Sequence, residues 1–269
     1  MAVKLSTIRQ AFHLLRNIDF DQLGRLSSKI DLPQVMATVG KMNDQQLSGL
    51  MKMLQSSGGH KKEVPPVNGD FYDLGGMLSP EDRELQLQVR AFMENEVQPI
   101  VNEYWLKAEF PFEIIPKLAA LNICGVTYEG YGCPNRSFLM EGILAMEMGR
   151  IDCSISTFFG VQSGLAMGSI YMLGSEAQKQ EWLPSMQKLE KIGSFGLTEP
   201  EVGSAAAGGL TTTAKRSGDT WILNGQKKWI GNATFADVLV IWARDVDDNQ
   251  VKGFLLRKEH SRIQCREDA

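Results

Sequence analysis

The sequence predicts an α+β protein in which helices come first and strands second. Three observations carry that prediction. Up to residue 191, apolar residues recur with the spacing of amphipathic helices. From residue 192 onward the apolar stretches are short, β-branched or aromatic, and separated by turn residues. No βαβ alternation and no G-x-G-x-x-G turn occurs in the chain, which argues against a Rossmann-type nucleotide domain. Segregated helices and strands mean separate layers.

Residues 1–56 read as a helical extension of short amphipathic pieces. Asn43-Asp44 starts one of them, and Leu47, Leu50, Met51 and Leu54 form its apolar stripe. The first turns carry Lys4, Arg9 and Arg16 without an acid. That composition suits an organelle transit peptide and also an ordinary first helix, and the ordinary helix is the expectation taken. Residues 57–72 read as a linker, because Gly58-Gly59, Pro65-Pro66 and a charge cluster interrupt the pattern.

The main helical domain is expected over 73–191. Ser79 is a hydroxyl N-cap followed by Pro80, Glu81 and Asp82, and this helix should run to about Lys107. Further helices are expected over 112–121, 137–151 and 154–173. Gly130–Pro134 forms a loop, and Ser175 with Gln178 makes a capping box that opens a last helix toward Lys191. In the β-domain, 192–269, strands are expected at Leu210–Arg216, Thr220–Leu223, Gln226–Ile230, Val238–Ala243 and Gly253–Lys258. Ser217-Gly218-Asp219 and Asn224-Gly225 are the turns, the second a type I′ hairpin signal, and Ser261–Cys265 reads as one more strand.

Composition narrows the function. A hydrophobic fraction of 43% and a charged fraction of 22% are those of a soluble globular protein. A net charge of −4 leaves no electrostatic footprint for nucleic acid. Cys124, Cys133, Cys153 and Cys265 lack C-x-x-C spacing, and His13, His60 and His260 are scattered, so no metal site and no disulfide framework is expected. Reduced thiols suit a reducing compartment: cytoplasmic, with the mitochondrial matrix or peroxisome as alternatives. No apolar run approaches the roughly 18 residues of a transmembrane segment.

The most informative stretch is Phe195-Gly196-Leu197-Thr198-Glu199-Pro200-Glu201-Val202-Gly203-Ser204. It reads as a strand running into a loop of small residues and hydroxyls, suited to close backbone approach and to hydrogen bonding an anionic acceptor. A second segment, Asn224-Gly225-Gln226-Lys227-Lys228-Trp229-Ile230-Gly231-Asn232, places Trp229 on a strand after the Asn224-Gly225 turn.

Together with EFPFEIIPKLAALNICG, EGYGCP, GSEAQKQEWLP and VIWAR, these segments resemble the acyl-CoA dehydrogenase and acyl-CoA oxidase family across residues 70–258. EGYGCP and VQSGLAMGSIYMLGSEAQK are most similar to the glutaryl-CoA dehydrogenases and plant short-chain acyl-CoA oxidases. The resemblance implies an N-terminal helical domain, a small antiparallel β-barrel-like middle domain and FAD as cofactor. It implies α,β-dehydrogenation of a short- or medium-chain acyl-CoA to the trans-2-enoyl-CoA, with electron-transfer flavoprotein or oxygen as acceptor. By the same resemblance Phe195, Gly196, Leu197, Thr198, Gly203, Ser204, Trp229, Ile230 and Gly231 line the cofactor, and Ser204, Ser156 and Thr157 meet the substrate.

Three departures accompany the likeness. Gly231 stands where many relatives carry Thr. Ala205 follows Ser204 where an Asp is usual, and Ser156-Thr157 replace the Arg-Ser pair that holds a distal carboxylate, so an uncharged chain against Phe158 and Phe159 is expected. The family's catalytic glutamate belongs to a C-terminal helical bundle that has no match in 1–269. No catalytic residue is therefore assigned, and Glu199 is not given that role. Intact relatives are homo-oligomers. An alternative reading is a non-catalytic scaffold that binds a partner protein through residues 1–56.

Overall fold

A computed structural model describes residue 46 and residues 70–203, 208–260 and 263–265. The expectations for the helical extension and most of the linker, and for Ser204 and Ala205, lie outside the described residues. All of the described residues from 70 onward fall within one compact unit, Asn68–Ala269.

Two helices begin at the caps read from the sequence, Ser79 and Ser175. Helix α1, Pro80–Phe92, opens on Ser79, whose hydroxyl accepts from the Asp82 amide at 3.2 Å. The chain passes through a π turn, Met93–Val97, into α2, Gln98–Lys107, so the helix expected from Ser79 to Lys107 carries a π-bulge. Helix α3 is Ile115–Ala120. Helix α4, Phe138–Ile151, is capped by Ser137, and α5, Cys153–Phe159, by the Asp152 carboxylate. A second π segment, Gly160–Ala166, joins α5 to α6, Met167–Leu173. Helix α7, Glu176–Gln187, starts with the complete Ser175–Gln178 capping box. Each such cap is worth about 1 kcal/mol.

The core lies where these helices meet the inner face of the sheet. Val89, Met93, Leu118, Met140, Leu144, Met167 and Leu183 are buried there with Val238 and Val240. Burying one such side chain contributes about 1.5–3 kcal/mol. One charge enters this layer: Glu147 is fully buried and takes hydrogen bonds from Arg90 at 2.6 and 2.9 Å and from Gln86 at 2.7 Å.

The strands are β1 Gly193–Gly196, β2 Thr213–Ser217, β3 Thr220–Asn224, β4 Val238–Asp245 and β5 Val251–Arg257. Strand β4 is central. One edge pairs antiparallel with β5 (Leu239↔Leu256), and the other pairs parallel first with β1 (Gly193↔Val238) and then with β2 (Thr213↔Arg244). The α+β class and the helix-then-sheet order hold, and the sheet is mixed rather than antiparallel. A parallel pair needs a long crossover, which residues 197–237 supply between β1 and β4.

Two turn expectations divide. Gly218-Asp219 closes the β2–β3 hairpin with Ser217 opposite Thr220, and the positive φ of 61° falls on Gly218, as a type II′ turn requires. Asn224-Gly225 closes no hairpin, and Gln226–Ile230 form no strand. The glycine serves a close approach instead: a Cβ at Gly225 would lie 2.6 Å from the Thr212 Cα. Nor do Ile263–Cys265 form the strand expected there. No helix among the described residues is long and apolar enough to cross a membrane.

Candidate functional site

The two segments singled out in the sequence meet at the end of β1. Phe195 and Gly196 complete the strand, and Leu197 and Thr198 continue as coil. Residues 226–231 pass beside them without a ladder. The Lys228 amide donates to the Thr198 carbonyl at 2.9 Å. The Lys227 ammonium donates to the Leu197 carbonyl at 3.0 Å and to the Glu199 carboxylate at 2.8 Å. The lysine stem crosses over Gly196, where a Cβ would lie 3.6 Å from Lys227 Cγ and 2.5 Å from Ile241 Cδ1.

Glu199 is buried, and its carboxylate is saturated. Oε1 accepts from Lys227 and from the Thr212 amide at 2.9 Å, and Oε2 accepts from the Thr211 amide and hydroxyl, both at 2.6 Å. Burial by itself raises this carboxyl's pKa. The hydrogen bonds from Lys227, Thr211 and Thr212 more than reverse that and hold it well below the usual carboxylate range. Burial pushes the Lys227 pKa down against the pull of Glu199. Sequence reasoning missed this pair. The adjacent Lys227 and Lys228 give no sign which of them turns inward.

Other groups face outward. Phe195 is half-buried, its ring 6.0 Å from that of Trp242. Thr198 is half-buried too, and its hydroxyl has no hydrogen-bond partner among the described residues. Trp229 departs furthest from expectation. It sits on no strand, has a left-handed backbone with φ 58°, and leaves its side chain 78% exposed with the Lys228 ammonium 4.8 Å from the ring. Gly231 lies against the second π segment, where a Cβ would come within 3.1 Å of Val161 Cγ2. Asn232 donates to the carbonyls of Phe158 at 3.3 Å and Gly193 at 3.2 Å, tying the segment to both the helices and β1.

The structure thus brings Gly196, Leu197 and Thr198 against Lys227 and Lys228, the residues that lead into Trp229, Ile230 and Gly231. Gly203 is exposed just past the tight turn in which Glu199 and Val202 exchange backbone hydrogen bonds at 3.0 and 3.3 Å. Ser156 and Thr157 stand apart on α5, joined to the second segment through the Phe158 carbonyl. Ser156 is half-buried, and the exposed Thr157 gives its hydroxyl to the Cys153 carbonyl at 2.8 Å. Phe158 and Phe159 are both buried. The ring of Phe158 packs 4.6 Å from Phe110 and 6.2 Å from Phe235, so it belongs to the core rather than to an open wall. An exposed aromatic plane, an unengaged hydroxyl and closely approached backbone together suit a flat, polar-edged cofactor such as a flavin.

Comparison with known proteins identifies the family of the two regions. A family model described as the N-terminal domain of acyl-CoA dehydrogenase matches residues 79–209, and one for the middle domain matches residues 194–269. The mitochondrial short-chain specific acyl-CoA dehydrogenase of Homo sapiens is 34% identical over 182 residues, covering 66% of this chain and 44% of that protein. The short-chain specific acyl-CoA dehydrogenase of Clostridium acetobutylicum is 32% identical, with 67% of this chain and 48% of that protein covered. Among solved structures, a glutaryl-CoA dehydrogenase from Mycobacterium smegmatis in complex with FADH2 superposes with a TM-score of 0.66 at 38% identity, over 70% of this chain and 48% of that one. The chain spans about half the length of the relatives it matches. With both family models in sequence order over the helical and β-regions described above, the chain belongs to the acyl-CoA dehydrogenase family.

Proposed function

We propose that this chain supplies the flavin cradle of an FAD-dependent acyl-CoA dehydrogenase acting on short- or medium-chain thioesters. The observation that carries the reading is the joining of Leu197-Thr198 to Lys227-Lys228, next to an exposed Trp229 ring and a Thr198 hydroxyl without a hydrogen-bond partner among the described residues. The complex of the related glutaryl-CoA dehydrogenase with FADH2 supports the choice of cofactor.

When bound, FAD supplies the acceptor for the electrons that leave the Cα–Cβ bond of the acyl thioester. The chain's own residues bind and orient. Thr198 offers a donor to the polar edge of the ring system, Trp229 offers an apolar plane, and Gly203 and Ser204 would stand near the cofactor and the thioester. Ser156 and Thr157 present no cation, so a substrate without a distal carboxylate is favoured.

Proton abstraction lies outside the groups assigned to this site. Glu199, the acid nearest the cradle in sequence, accepts four hydrogen bonds from Lys227, Thr211 and Thr212 and has no exposed surface on its side chain. A carboxylate so held is a structural anion and not a base. Electrons would leave to an electron-transfer flavoprotein or to oxygen.

The test is reconstitution of the purified 269-residue chain with FAD, followed by anaerobic addition of butyryl-CoA. The reading expects a retained flavin absorption band that shifts on adding the thioester. A folded chain that retains no FAD contradicts it and favours the scaffold reading.

A further inference from the structure

The two cofactor-facing segments lack the sheet pairing that normally fixes the distance between neighbouring extended chains. Strand β1 ends at Gly196, and residues 226–231 belong to no strand. One backbone hydrogen bond, from the Lys228 amide to the Thr198 carbonyl, joins them directly. Asn232 anchors the far end of the second segment to the Gly193 carbonyl, and the link nearest Leu197 and Thr198 is a side chain. Lys227 starts on one segment, crosses Gly196, and places its ammonium between the Leu197 carbonyl and the Glu199 carboxylate on the other.

We propose that Lys227 and Glu199 are positioning residues for the cofactor, acting as an ionic strut that sets the spacing between Leu197-Thr198 and Trp229-Gly231. The inference rests on the flavin reading given above. Its physical basis is directional. The lysine's two hydrogen bonds fix where the 227–229 backbone lies relative to the Leu197 carbonyl. Glu199 in turn fixes the ammonium, because its other three hydrogen bonds run to the Thr211 and Thr212 backbone and hydroxyl. Both side chains are almost fully buried, at 8% exposure for Lys227 and none for Glu199. Water therefore cannot take the place of either partner. Trp229, two residues beyond Lys227, holds a left-handed backbone that a free loop would not favour.

A purely structural pair and a strut make different predictions when both charges are removed together. Removing one partner strands a buried charge, so Lys227→Met and Glu199→Gln should each destabilise the fold. The double variant Lys227→Met/Glu199→Gln strands none and should recover most of the melting temperature. If the pair is a strut, FAD affinity does not recover with it: the double variant binds FAD at least tenfold more weakly than the wild-type chain. Hydrogen exchange without FAD gives a reading independent of the cofactor, with the Lys228 amide exchanging at least tenfold faster in the double variant.

Equal FAD affinity and equal Lys228 exchange in wild type and double variant overturn the strut and leave the flavin reading intact. A folded wild-type chain that binds no FAD overturns the flavin reading and the cofactor role of the strut with it. In that case faster Lys228 exchange would report only a local tether.

Discussion

The side-chain oxygen of Gln162 accepts a hydrogen bond from the backbone amide of Gly193 at 2.6 Å, fixing the first residue of β1 to the π segment between α5 and α6. The same side chain donates to the carbonyls of Met186 and Lys191, both at 2.9 Å. One fully buried amide thus ties the helical layer to the strand that carries Phe195.

Replacing Gln162 by Ala leaves the Gly193 amide and two carbonyls without these partners. The expected loss is about 2–4 kcal/mol, the range for breaking a buried hydrogen-bond network. Urea unfolding of the purified variant measures it. Gln162→Glu keeps the acceptor but loses the donor, and should fall in the same range.

Acid stability follows from Glu147. Burial works to raise its pKa, and hydrogen bonds from Arg90 and Gln86, with the charge of Arg150, overrule burial and leave it lowered. A carboxyl with a lowered folded pKa contributes stability that is complete above its unfolded value, about 4.5, and is lost as pH falls below it. Glu199 acts in the same direction. Unfolding free energy measured from pH 7 to pH 3 should be flat at first and then fall. Glu147→Gln should show a shallower fall in that range from a lower starting stability, because Arg90 and Arg150 lose their counter-charge.

The Asn224-Gly225 pair gives a contrast between neighbours. Gly225 is required by the close approach to Thr212, so Gly225→Ala forces the two chains apart and should cost about 1–3 kcal/mol. Asn224 is exposed in β3 opposite Thr213 and fills no left-handed turn position, so Asn224→Thr should stay within about 0.5 kcal/mol. Thermal melts of the two variants distinguish this arrangement from a type I′ hairpin, in which Asn224 would matter too.

That contrast shows what was legible in the sequence. Local chemistry was: the Ser79 and Ser175 caps and the Gly218 turn all depend on residues within a few positions of one another. The β1–β4 and β2–β4 parallel pairings were not, because they join distant residues and have no turn to announce them. Gly225 carried an ambiguous signal, since glycine serves a tight turn and a close backbone contact equally well. At the site, the residues brought together were readable as two motifs. Their connection through Lys227 and Glu199 was hidden, because a buried lysine and a solvated one look alike in sequence.

Gly231 tests how closely the second segment packs on the helices. Gly231→Ala introduces a Cβ that must displace Val161 Cγ2 by a few tenths of an ångström. With Val161 intact the variant should lose about 1 kcal/mol of stability, and pairing it with Val161→Ala should relieve that clash. Differential scanning calorimetry of the single and double variants reads the coupling.

The most direct test of the flavin cradle is FAD titration of the full chain beside Thr198→Val, followed by flavin absorbance and by quenching of flavin fluorescence. Valine keeps the shape of Thr198 and removes its hydroxyl, which has no partner among the described residues, so the fold should be unaffected. The account predicts saturable FAD binding by the wild-type chain and about tenfold weaker binding by the variant, the loss of roughly one hydrogen bond to the cofactor. Equal FAD affinity in the two proteins, or no binding by a folded wild-type chain, would contradict it.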